Sequence, residues 1–145
     1  MGIRLEYEMS IIAGDEEKAF KRLLREKLTN NKKDLVDEIF INYKIAEYYH
    51  SKDNELKHYY MTELEKIFLK PKNRQVYKFD YAMYLNLYTD MYEKELDTES
   101  KFKILKVACN IFKELGNKYF YTKAIDKIIN IDKAEELESL SAVHT

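Results

Sequence analysis

The run Gly14-Asp15-Glu16-Glu17-Lys18-Ala19-Phe20 is a helix break followed at once by a helix start. Gly14 takes backbone conformations that side chains resist, so it ends what precedes it. Asp15 can then cap the next helix, with Glu16 and Glu17 in its electropositive first turn. The run Ala108-Cys109-Asn110-Ile111-Phe112-Lys113-Glu114-Leu115-Gly116-Asn117-Lys118 repeats that grammar from the other side. An apolar stripe ends at Gly116-Asn117, two residues that tolerate a left-handed C-cap.

Working outward, only three glycines and one proline interrupt 145 residues, and the spacing between them is helical. A short first helix covers Leu5 to Ala13. The second carries Ala19, Phe20, Leu23, Leu24 and Leu28 on one face and closes at Thr29-Asn30-Asn31. Asp34 is the candidate cap of a third, which bears Leu35, Ile39, Tyr43, Ala46 and Tyr49. After Ser51-Lys52-Asp53-Asn54 a fourth bears Leu56, Tyr60, Leu64, Ile67 and Phe68, and Pro71 stops it. Tyr81, Leu85, Tyr88 and Tyr92 mark a long fifth, and Thr98-Glu99-Ser100-Lys101 begins the helix striped by Phe102, Leu105, Cys109 and Phe112. Two last helices are expected, through Ala124 to Ile129 and through Ala134 to Leu140. The expectation is an all-α chain of about seven helices. It forms antiparallel hairpins in one domain over residues 1–140, with a frayed tail over 141–145.

Composition narrows the function. Forty-six percent apolar and 35 percent charged residues suit a folded chain. A net charge of −1 removes bulk attraction to nucleic acid or to an anionic membrane. Cys109 stands alone, so neither an internal disulfide nor a multi-cysteine metal site can form. No long uncharged apolar stretch could span a membrane. Glu6 stands where a Met1-Gly2 myristoylation motif wants Ser or Thr. Together these point to the cytoplasm. Thirteen tyrosines suit helix seams, where a ring packs while its hydroxyl reaches the edge.

Leu85, Tyr88 and Tyr92 with Ala108, and Ala46 and Tyr49 with Leu64 and Ile67, resemble the two helices of successive tetratricopeptide units. Thr89 stands where that pattern prefers Gly or Ala, Leu96 where the turn Gly belongs, and Ile67 where Ala is usual. The run from Ala108 to Ile129, with Tyr119, Ala124 and Lys127, is similar to the last repeats of Rap-type and PlcR-type peptide-pheromone receptors. The resemblance implies hairpins stacked as a superhelix around a concave groove. It also implies groove-facing residues on the first helix of each unit: Tyr43 and Glu47 with His50 at the lip, then Asn86 and Asp90. An asparagine amide there offers both donor and acceptor to a peptide backbone. The plainer alternative makes Asn86 and Asp90 the solvated side of a helix. No helix-turn-helix precedes the repeats.

Nothing in the chain reads as catalytic, and an enzyme is not expected. Glycine-rich phosphate loops and nucleophile elbows are absent from the sequence. His50, Asp53, Glu55 and His58 cluster, but a histidine spacing of eight across a turn is not a zinc arrangement. Cys109 on an apolar stripe reads as a packed thiol. Two functions stay open, both without cofactor or metal. One is a regulatory module holding a peptide or protein segment. The other is a structural interaction protein forming a homodimer or part of a larger helical assembly, hinted at by the apolar first helix with Met9, Ile11 and Ile12.

Overall fold

The structure, a computed structural model, describes residues 2–29 and 33–143, without the side chains of 139 and 141–143. Among the described residues the chain is 83% helix with no strand. Eight helices run in order: α1 (Ile3–Ile12), α2 (Glu16–Thr29), α3 (Leu35–Ser51), α4 (Lys57–Phe68), α5 (Pro71–Val76), α6 (Lys78–Met91), α7 (Thr98–Glu114) and α8 (Lys118–Val143). The all-α expectation holds.

Three turns share one device. Gly14, Asp53 and Gly116 sit in the left-handed region at φ +79°, +51° and +71°. Each is followed by a residue whose N–H reaches back five residues: Asp15 to Ser10, Asn54 to Tyr49 and Asn117 to Phe112, at 2.8–2.9 Å. The inner bonds, Gly14 to Ile11, Asp53 to His50 and Gly116 to Lys113, complete a Schellman closure at each helix end. At Asp15 and Asn117 the same following residue then caps the next helix with its side chain, while Asn54 holds the turn just before α4. Asp15 accepts from Lys18 N–H, Asn54 from Leu56 N–H and Asn117 from Phe120 N–H. At Gly14-Asp15 and Gly116-Asn117, one residue in the left-handed well and one Asp or Asn therefore close a helix and cap its successor within two positions. Links this short fold α1 on α2, α3 on α4 and α7 on α8 as hairpins.

The chain forms two compact units, Met1–Asp80 and Tyr81–Thr145, the boundary falling inside α6. In the first, Ile3, Phe20, Leu23, Phe40, Ile41 and Ile45 make the core. Tyr48 stacks on Phe20 at 3.9 Å and Tyr49 meets it edge-on at 5.0 Å. Rings enclosed in this way contribute both buried area and geometric preference. Arg22 ties α2 to α1 through Glu6 at 2.9 Å, and Lys27 ties α2 to α3 through Glu38 at 2.7 Å. In the second unit Leu105, Ala108, Cys109, Phe112 and Ala124 are enclosed, and Phe112 stacks on Phe120 across the α7–α8 seam at 5.5 Å.

Several expectations are corrected. The two last helices are one, because no Gly or Pro falls between Ile129 and Ala134 and Asn130-Ile131-Asp132 costs a helix little. A short α5 follows Pro71, which takes the first helical position, where its missing N–H is no loss. The merger and the added α5 offset each other, and eight helices are described where about seven were expected. The sequence register pairs α6 with α7, yet the close partner of α7 is α8. Leu96 cannot supply the tight turn that Gly116 supplies. Asp34 holds the cap position of α3, but its side chain makes no capping bond. Helix α8 runs to Val143, inside the expected tail; residues 144 and 145, with His144, lie outside the described residues, as do Asn30 and Asn31.

Candidate functional site

The five groove residues fall into two sets, one in each unit. Tyr43, Glu47 and His50 lie on α3 in the first. Lys44, between the first two, meets both: its Nζ sits 5.5 Å from the Tyr43 ring centroid and donates to Glu47 Oε1 at 3.4 Å. The same ammonium lies 5.6 Å from the ring of Tyr7 on α1. Burial first, then the carboxylates of Glu47 and Glu16, push the Tyr7 hydroxyl up to about 12. Glu47 is thus committed to a cluster within the first unit. His50, one turn further on, has an enclosed Nδ1 with no hydrogen-bond partner among the described residues.

Asn86 and Asp90 lie one turn apart on α6, and a single side chain joins them. Lys127 Nζ, reaching across from α8, donates to Asn86 Oδ1 at 2.7 Å and to Asp90 Oδ2 at 2.9 Å. Asn86 is half-buried, and its main-chain carbonyl accepts from the Thr89 hydroxyl at 2.8 Å. Both expected residues therefore lie on one wall, which Lys127 completes. Sequence reasoning registered Lys127 only as part of the closing run. The acceptor pair one helical turn apart was a signal for a cation, but nothing in sequence says which later lysine answers it.

That wall borders a cleft of about 420 Å³ among α6, α7 and α8. Leu105, fully enclosed, and half-buried Ile131 supply apolar lining, and buried Thr89 lies beside Asp90. Glu93, Glu135 and Glu138 stand exposed along the rim, none with an ion-pair partner among the described residues. A larger hollow of about 850 Å³ runs over α1 and α2. Its side chains are largely spent on each other: Arg22 on Glu6 and Glu26, Lys21 on Glu17. The smaller cleft is the better candidate, since its charged rim is uncommitted.

Burial raises the Cys109 thiol, which disfavours a thiolate nucleophile. Among the described residues no group of three or more His, Cys, Asp or Glu side chains could hold a metal ion. Nor is any described helix long and apolar enough to cross a membrane. No family model, curated protein or solved structure matches the chain.

Proposed function

We propose that the protein is a non-enzymatic binding module of tetratricopeptide-like style, which holds a peptide or protein segment and regulates a partner in the cytoplasm. The observation that carries this reading is the cleft among α6, α7 and α8, apolar below and polar at the rim, with Asn86, Asp90 and Lys127 as one wall. Concave sites with a few convergent polar groups are where ligands bind. Peptides selected from a random display library against the protein should shift the amide resonances of Thr89, Leu105 and Ile131. Asn86→Ala should weaken them by about 1–3 kcal/mol, the usual result of stranding a buried polar partner. Ala134→Trp, at an exposed position lining the cleft, should block them. Selected peptides that shift only residues elsewhere, or that tolerate both changes, refute the reading.

A second reading rests on α1, whose Leu5, Met9 and Ile12 form an exposed stripe at helical spacing. A homodimer covering that stripe would show twice the chain mass in light scattering, and Met9→Lys would return it to a monomer.

A further inference from the structure

We infer that the cleft among α6, α7 and α8 takes a cationic segment, one presenting lysine or arginine beside an apolar anchor; this rests on the binding reading above. The first observation is the cleft's own occupant. Lys127 shows that the Asn86–Asp90 wall binds an ammonium, at 2.7 and 2.9 Å. That pairing neutralises Asp90 and leaves Glu93, Glu135 and Glu138 as the uncommitted rim charges, against Lys101 alone. The second observation is shape. Helix α8 has 26 residues against 17 in α7, so beyond the Gly116 turn its last nine residues run on past the start of α7, about 13 Å of helix. This overhang carries Glu135, Glu136 and Glu138 with no basic residue, and its Leu137 and Leu140 are 66% and 56% exposed. An extended or helical segment lying from the cleft onto the overhang meets Ile131 first and Leu137 last, with the rim carboxylates beside it. Complementary charge selects the partner and orients it, while the apolar anchors supply affinity.

The probe is a fluorescein-labelled amphipathic peptide of lysine and leucine, with a glutamate-for-lysine twin and a glutamine-for-lysine twin. Anisotropy titrations should show the lysine peptide binding at least about tenfold more tightly than the glutamate twin, since like charges across an interface are strongly disfavoured. Its affinity should fall with added salt. The exposed triple variant Glu93→Lys, Glu135→Lys, Glu138→Lys should reverse the preference. The triple variant Glu16→Lys, Glu55→Lys, Glu65→Lys, with the same change in net charge on exposed residues of the first unit, should keep it. Equal loss in both variants overturns the inference, because the attraction would then be that of the whole molecule's charge. A glutamine twin that binds as well as the lysine peptide, with shifts at Thr89 and Leu105, overturns the cationic preference and leaves the binding reading standing. If no peptide shifts those resonances, both fall.

Discussion

Helices α3 and α6 were assigned the same role from sequence, and their polar residues meet different fates. On α3, Lys44 gathers Tyr43 and Glu47 beside Tyr7 of α1, so these polar groups are engaged with one another within the first unit. On α6, Asn86 and Asp90 reach across to Lys127 of α8 and form the wall of an open cleft. The same residue grammar can close a seam or line a site. The element placed opposite makes the difference: a short α1 in one case, and in the other a long α8 that outruns its hairpin partner.

The largest expected effect tests whether the second unit holds its cleft rigidly. Ala108 is fully enclosed on α7, so Ala108→Leu should destabilise the protein by about 1–3 kcal/mol in chemical unfolding. An unchanged midpoint would mean that α7 does not approach its neighbours closely, and the wall opposite α6 would lose its support.

The α3–α6 contrast itself is tested by one change on each side. Lys127→Ala removes two charge-assisted bonds in a partly exposed setting and should cost about 1 kcal/mol. Glu47→Gln should alter stability by no more than about 0.5 kcal/mol, because its pair with Lys44 is long and partly exposed. It should instead let Tyr7 ionise at lower pH, since the Glu47 charge helps to hold that hydroxyl up. Equal stability losses would erase the distinction drawn between the two helices.

Smaller effects come from the turns. Asp53 holds the left-handed position that Gly14 and Gly116 fill elsewhere, so Asp53→Gly should stabilise by about 0.5–1 kcal/mol by relieving Cβ crowding. Gly116→Ala should cost about as much, and only for the backbone, because a Cβ there meets nothing within 4 Å. The smallest effect is one of pH. Asp97 is held below the ordinary aspartate range by the backbone N–H of Ser100, at 2.7 Å, and then by its side chain. A lowered folded value means that this cap stabilises α7 above the unfolded value and is lost as pH falls through the folded one. Carboxyl titration by nuclear magnetic resonance should place Asp97 below a model aspartate, and Ser100→Pro should return it.

Much of the fold was legible because helices announce their ends locally. Gly14-Asp15 and Gly116-Asn117 were read as breaks and caps, and both are. Asp53-Asn54 was read as a break, but its left-handed φ was hidden because aspartate adopts it less readily than glycine. The merger of the last two helices was missed for the converse reason: Asn130 and Asp132 weaken a helix without ending it. Of the candidate site, Asn86 and Asp90 were legible as a pair one turn apart. Lys127 was not, since it lies 37 residues beyond Asp90.

The sequence alone determined the helical class, the helix stripes and two of the three Schellman turns, since each depends on residues within a few positions of one another. Tertiary structure alone decided that α7 folds on α8, that Glu47 turns to Tyr7 while Asp90 turns to Lys127, and that a cleft with free carboxylates opens beside α6. Those outcomes depend on which helices meet, and contact between distant segments is set by the sum of many packed surfaces that no local motif encodes.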